Sequence, residues 1–162
     1  LKASKFLIEK NKKELQLINQ EDLLQRWMSG FEEKLKPTLH IGNFRFLKNE
    51  DYNHWENIGL AKGQTYWGGE PAGAIMTHHL LPEIFTIYTE EPRNALIKNY
   101  RLVPDPKGNI RAYKKFWGGE NTYNETTVHP LLAYTDLVHT GDRRSLKTAK
   151  KIYDELLGNR LS

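Results

Sequence analysis

Segments with the periodicity of helices alternate along the chain with short runs typical of strands, and this order most strongly limits the possible folds. The helical segments are residues 20–35, 50–60, 71–81, 92–99, 131–138 and 145–157. The strand-like segments are residues 40–47, 84–89, 101–103 and 110–116. Each amphipathic element has to bury its apolar face against another element. The pattern therefore predicts an α/β (α+β) fold, in which helices pack on a small mixed sheet within a single domain.

Proline, glycine and apolar spacing predict where these elements end and which side chains they bury. Pro37 and Pro82 should end the first and third helices, because proline lacks the N–H that a helix interior needs. The sequence of Tyr66–Gly69 predicts a sharp break before the third helix. His79 lies in the apolar stripe of that helix, which predicts a hydrogen-bonded core histidine. The residues expected to point inward from the last helix are Leu146, Ala149, Tyr153, Leu156 and Leu157.

Composition excludes several classes of site. The chain has no cysteine, so it contains no disulfide, cysteine metal site or thiol nucleophile. Hydrophobic residues make up 38% and aromatic residues 11% of the sequence, which is enough for a packed core. No apolar run approaches the ~20 residues that span a bilayer. These features predict a cytoplasmic protein that does not enter the membrane.

The two ends of the sequence differ in character. Residues 1–19 are rich in lysine and are too short for a complete winged helix, so we expect a linker or the tail of a missing N-terminal domain. Residues 20–158 carry the alternating pattern and are predicted to form the domain itself. The formal net charge of +4 permits anionic partners without requiring them.

No catalytic signature is present, so the sequence predicts no catalytic residue, metal site or cofactor. Asp136 is the most unusual acid, because it lies within the apolar helix 131–138. A buried carboxylate has to be paired or hydrogen-bonded. We expect Arg143 or Arg144, or the backbone amides of a loop, to be its partner. A functional carboxylate is the alternative.

A second alternative is a metal-dependent nuclease, active or degenerate. Such enzymes hold a divalent metal ion between two acids, and the second acid stands two residues before a lysine. Glu70, Asp105 and Lys114 match part of this pattern, but Ala112 stands where the second acid should be.

The segment from residue 93 to 117 is the strongest candidate for a binding surface. It holds seven cations and one acid, and aromatic residues lie between them. Cations and aromatics together suit nucleic-acid backbones and bases. A solvated face is the simpler interpretation. The predicted nucleic-acid-binding residues are Arg101, Lys107, Arg111, Lys114 and Lys115.

Three stretches in this order resemble a known family. They are Leu24–Trp27 with Glu33–Pro37, Trp67–Ala74, and His129–Leu137 with Thr140–Arg144. Together they resemble the C-terminal domain of AbiEi-like antitoxins, the transcriptional regulators of type IV (abortive-infection) toxin–antitoxin systems. The matched positions that we single out are Trp67, Gly68, Gly69, Glu70, Asp136, Asp142 and Arg143.

The resemblance implies a bacterial, non-enzymatic regulator. It implies a winged helix before this domain that binds the operon's DNA, and a nucleotidyltransferase-like toxin as the functional partner. A protein-interaction module is a further alternative. For the matched positions we expect structural roles: Gly68 and Gly69 free the turn, Glu70 caps the third helix, and Asp142 caps the last helix or holds Arg143 or Arg144.

Overall fold

The structure, a computed structural model, describes residues 22–118 and 123–158, and in this part of the chain six helices surround a five-stranded sheet. Helix α1 covers residues 22–30 and continues through a π-helical turn, Phe31–Leu35, and a last turn, Lys36–Leu39. The other helices are α2 (Asn49–Asn53), α3 (Gly69–Thr77), α4 (Arg93–Tyr100), α5 (Pro130–Thr140) and α6 (Arg143–Ile152), which continues as a π-helical turn over Tyr153–Leu157. The strands are β1 (His40–Phe46), β2 (Thr65–Gly68), β3 (Phe85–Thr89), β4 (Leu102–Pro104) and β5 (Ile110–Lys114).

The sheet is mixed, as predicted. Its order is β2-β3-β5-β1-β4. Strands β3 and β5 at the centre are parallel, and every other neighbouring pair is antiparallel. Tyr88 lies opposite Tyr113 and Ile87 opposite Ala112, so successive residues of these two strands point to opposite faces.

The two faces of the sheet carry separate cores. The aromatic face packs against α2, α4 and the 3₁₀ turn Trp55–Asn57. Its buried members include Phe44, Phe46, Trp55, Trp67, Phe85, Ile87, Leu96, Ile110 and Ala112. The helical face is covered by α1, α3, α5 and α6. Its buried members include Phe31, Tyr66, Met76, Tyr88, Leu132, Leu137 and Ile152.

The prediction that Pro37 ends the first helix is wrong. The π-helical turn places the Lys36 N–H on the carbonyl of Phe31, five residues back. Pro37 then falls in the first turn of a new α-helical segment, where no intrahelical N–H is required. The helix ends at His40, whose ψ of 123° is extended.

Other boundaries also differ from the predictions. The helix expected over 50–60 is broken at His54, whose φ of −120° and ψ of 38° are not helical. Helix α3 ends at His78 in the left-handed region, before Pro82 is reached. His79 therefore lies beyond the helix and is exposed, so it is not a core histidine. Leu146, expected inward, is 44% exposed because α6 buries its neighbouring stripe instead.

Strand β2 was not predicted, because the sequence of Tyr66–Gly69 predicts a break in the chain. It is an edge strand paired with β3, and it is fully buried. The predicted linker at residues 1–19 lies outside the described residues. In the described part of the chain, no helix is both long and apolar enough to cross a bilayer.

Candidate functional site

The turn from β2 into α3 brings the backbone close to the central strand. A Cβ on Gly68 would lie 2.6 Å from the ring of Tyr88, and one on Gly69 would lie 2.7 Å from Oγ1 of Thr86. Gly69 also has a φ of +47°, in the left-handed region. Only Gly69 therefore requires the conformational freedom that was predicted for both, whereas Gly68 is required by close contact.

Asp136 reaches this turn from α5 and is 3% exposed. Its Oδ1 accepts hydrogen bonds from the Lys36 ammonium at 2.8 Å and from the Tyr88 hydroxyl at 2.9 Å. Its Oδ2 accepts one from the backbone N–H of Gly69 at 3.2 Å. A loop amide was among the expected partners, but Arg143 and Arg144 were the wrong cations, because α5 turns Asp136 toward the sheet and α1.

Burial and charge keep the Tyr88 hydroxyl protonated and the Lys36 amine charged. Desolvation raises the pKa of Tyr88 well above its ordinary value, and the adjacent Asp136 carboxylate adds to the effect. The Tyr88 hydroxyl is therefore a permanent donor. Burial opposes the charge on Lys36, yet attraction by Asp136 and then Glu32 raises the pKa of its ammonium.

Glu32 lies one helical turn before Lys36 on α1, and its side chain is only 8% exposed. Its Oε1 is 3.5 Å from the Lys36 ammonium, and its Oε2 is 3.7 Å from Nε2 of His139. No described residue donates a hydrogen bond to the buried Oε1. Desolvation raises the pKa of Glu32 to about 7, against an opposing effect of Lys36.

These groups lie at a cleft of about 660 Å³ between α1, α5 and the sheet. Its lining residues are Glu32, Lys36, Pro37, His40, Asn43, Ile84, Thr86, Arg111, Tyr113, Asp136, His139 and Thr140. Sequence reasoning missed Glu32 and Lys36. Their four-residue spacing indicated that they share a helix face, but nothing local indicated that this face meets Asp136, 100 residues further along the chain from Lys36.

Glu70 forms a second buried network at the other end of the same turn. Its Oε1 accepts hydrogen bonds from Arg144 at 3.0 Å and from the backbone N–H of Glu83 at 3.1 Å. The carboxylate makes no hydrogen bond that caps α3, so it joins α3 to α6 and to the loop before β3.

The remaining matched positions have separate locations. Asp142 occupies the N-cap position of α6 and its Oδ2 lies 3.7 Å from Nε of Arg144. Arg143 is exposed. Trp67 is buried on the aromatic face, against Trp55 and Phe85.

The acids of the nuclease alternative engage different partners. Asp105 lies in the turn after β4, where it is 3.7 Å from Arg45 and accepts the N–H of Lys107. Glu70 binds Arg144, and Asp136 binds Lys36. Within residues 22–118 and 123–158, no three His, Asp or Glu side chains are close enough to hold one metal ion.

The predicted nucleic-acid-binding residues do not form one patch. Arg111 lines the cleft with Asp136, whereas Lys114 and Lys115 line a separate one near Arg93. Lys115 is largely buried and pairs with Glu90 at 2.9 Å. Arg101 is bound to Asp51 and has a left-handed φ of 53°. Lys107 is exposed in the turn between β4 and β5.

Comparison with known proteins identifies the family of this chain. The family model described as "Transcriptional regulator, AbiEi antitoxin, Type IV TA system" matches residues 16–158. Neither a curated protein nor a solved structure matches the chain. The family match covers most of the sequence, including the turn at Gly68–Gly69 and the helix that carries Asp136. The chain therefore belongs to the AbiEi antitoxin family of transcriptional regulators of type IV toxin–antitoxin systems.

Proposed function

We propose that this chain supplies the regulatory, non-enzymatic domain of an antitoxin that counteracts a nucleotidyltransferase-like toxin in the cytoplasm. The observation that carries the proposal is the state of the acids at the matched positions. Asp136 and Glu70 are both buried, and both accept their hydrogen bonds from donors of this chain. A general base or nucleophile has to be free to reach a substrate atom, and these two carboxylates are already engaged by donors of this chain.

Each network joins elements that are far apart in sequence. Asp136 connects α5 with α1, β3 and the β2–α3 turn, and Glu70 connects α3 with α6. Removing one member of a buried ion pair leaves an uncompensated charge, which is strongly destabilising. The acids therefore hold the helices in place over the sheet.

A growth-rescue experiment tests the proposal. The full-length protein is co-expressed with the nucleotidyltransferase-like toxin of its own operon, and growth should be restored. Exposed Lys62→Gln is the matched control and should rescue equally. A well-folded protein that gives no rescue would contradict the antitoxin role.

A cleavage assay tests the non-enzymatic part separately. Purified protein is incubated with supercoiled plasmid and Mg²⁺ or Mn²⁺, and no cleavage is expected. Cleavage that disappears in Glu70→Gln or Asp105→Asn, while Lys62→Gln retains it, would show that the acids perform chemistry.

For DNA we propose a supporting contact by the cations predicted from the sequence. Lys107, Arg111 and Lys114 are exposed and make no ion pair with a described residue, whereas Arg101 and Lys115 are already paired. The affinity of the full-length protein for its operator DNA should fall with salt, and neutralising Lys107 and Lys114 should reduce the log–log slope by roughly 0.9 per phosphate contact. An unchanged slope would remove these residues from the interface.

A further inference from the structure

Helix α1 has a weak point where its last turn begins. The π-helical turn Phe31–Leu35 ends at Lys36, and Pro37 has no N–H to donate back to the preceding turn. Prolines and π-helical turns are the usual places where a helix bends. The Lys36–Leu39 turn is anchored to α5 by the ion pair of Lys36 with Asp136 at 2.8 Å. Residues 22–35, which we call the α1 arm, therefore join an anchored turn through a hinge.

The α1 arm contributes little to the core beneath it. Phe31 is its member of the buried cluster on the helical face, where its ring lies 5.3 Å from that of Phe116. Leu24 and Met28 are buried but belong to neither core cluster. The other buried members of the helical face come from α3, α5, α6, the sheet and the segment before α5. These elements can therefore stay packed on one another when the arm opens locally.

Glu32 is the charged contact between the α1 arm and α5. Its Oε1 lies 3.5 Å from the Lys36 ammonium, and its Oε2 lies 3.7 Å from Nε2 of His139. The Lys36 ammonium is closer to Asp136, at 2.8 Å, so one largely buried cation faces two carboxylates. The His139 side chain is 63% exposed, so water screens its charge. An ionised Glu32 is therefore only partly compensated while the arm is closed, whereas water solvates it fully when the arm opens.

We propose that the α1 arm is a pH-sensitive latch, which lies closed on α5 while Glu32 is protonated and opens at the hinge as Glu32 ionises. Opening removes Trp27 from the apolar groove that it lines with Phe116, Trp117 and Leu131. The pH therefore controls access to this groove. The proposal goes beyond the antitoxin role and does not depend on it.

Opening of the latch should become more favourable as the pH rises. Burial raises the pKa of Glu32 to about 7 while the arm is closed, against its ordinary value of 4.5. The open form binds fewer protons between these values, so the opening equilibrium should grow by up to about tenfold per pH unit. The groups that face Glu32 or line the same cleft belong in this titration: Lys36 on α1, Asp136 and His139 on α5, Tyr88 on β3, Arg111 and Tyr113 on β5, and His40 at the start of β1.

Hydrogen–deuterium exchange of the full-length protein tests the proposal between about pH 5 and pH 8, after correction for the intrinsic exchange rates. At pH 7 the amides of the α1 arm should be at least about tenfold less protected than those of β3 and β5, because they exchange through local opening. Their protection should fall by up to about tenfold per unit as the pH rises to 7, and then level off. Equal protection of the arm and the two central strands at every pH would mean that the arm opens only when the whole domain unfolds, and would overturn the proposal.

Two neighbouring variants identify the group that titrates. Glu32→Gln keeps the shape of the side chain but cannot ionise, so the protection of the arm should no longer fall between pH 5 and pH 7. Glu33→Gln removes the exposed carboxylate of the next residue and should follow the wild type. An unchanged pH dependence in Glu32→Gln, or an equal loss of it in Glu33→Gln, would contradict the role of Glu32 in the latch.

Discussion

The two faces of the sheet achieve burial in different ways. On the aromatic face, Phe85 makes ring contacts with Phe46, Trp55 and Trp67 at centroid distances of 5.1 to 5.9 Å. On the helical face, the apolar core surrounds a charged group, Asp136, and its partners. The aromatic face can be packed by any apolar side chain of suitable shape. The helical face is stable only when specific donors reach the Asp136 carboxylate.

This difference shows which contacts fix the helices on each face of the sheet. Apolar packing on the aromatic face holds α4 against the sheet, together with the hydrogen bonds that Tyr100 and Asn99 of α4 donate to buried Glu91. The networks of Asp136 and Glu70 fix the four helices of the opposite face, two of which, α1 and α5, also line the cleft. Both faces contain a buried carboxylate, since Glu91 accepts a hydrogen bond from Tyr100 of the aromatic face, but the close pair of a carboxylate with a largely buried lysine, Asp136 with Lys36, belongs to the helical face.

The largest expected effect comes from removing the carboxylate at the centre of the helical face. Asp136→Ala leaves the buried Lys36 ammonium and the Tyr88 hydroxyl without their acceptor, and should lower the free energy of unfolding by about 3–5 kcal/mol. Glu125→Ala removes one partner of the exposed pair with Lys62 and should cost less than about 1 kcal/mol. Urea unfolding measures both. A small effect of Asp136→Ala would mean that the network does not hold the helices.

The next prediction compares a glycine that is in close contact with its neighbours and a glycine that has free space around it. Gly68→Ala would place a Cβ 2.6 Å from the Tyr88 ring and 3.2 Å from Oδ2 of Asp136. It should destabilise the protein by about 1–3 kcal/mol through overpacking. Gly59→Ala, which meets nothing within 4 Å, should be close to neutral. Equal melting temperatures for the two variants would contradict the close approach of the turn to the network.

Local patterns in the sequence predicted part of this fold correctly. The alternation of Phe44 and Phe46 and the β-branched run at residues 84–89 correctly predicted strands and one buried face, because these patterns are local. The Gly68–Gly69 pair correctly indicated a turn. Strand β2 was missed because four residues carry too little alternation to be distinguished from a break.

The polar partners could not be predicted for a different reason. Asp136 was correctly expected to be buried and bound, since its neighbours in sequence are apolar. Its partner Lys36 is 100 residues away, and the choice between several cations depends on how the helices are rotated over the sheet. The π-helical turn in α1 adds to this rotation, and no local pattern in the sequence indicated it.

A third effect depends on pH and concerns the helical face, where Glu32 lies against Lys36. The pKa of Glu32 is about 7 in the folded protein and 4.5 ordinarily, so the folded state binds more protons between these values. The stability that protonated Glu32 contributes is present below pH 4.5 and is lost as the pH rises to 7. Relative to Glu32→Gln, the wild type should lose on the order of 3 kcal/mol across this window.

The matched control for the pH prediction is Glu33→Gln, on the same helix but exposed. It should follow the wild type throughout the window. Unfolding curves at closely spaced pH values would show the divergence. A pH-independent difference between the wild type and Glu32→Gln would mean that Glu32 is not buried against Lys36 as described.

The central claim is that the buried acids maintain the fold and do not act on a substrate. The double variant Lys36→Met with Asp136→Asn tests it most directly, because it removes both charges of the pair and keeps a polar partner for Tyr88. Stability and toxin rescue should be measured on the same full-length protein. The double variant should be more stable than either single variant, and it should rescue growth whenever it is folded. A double variant that is folded as stably as the wild type but does not rescue growth would contradict the claim.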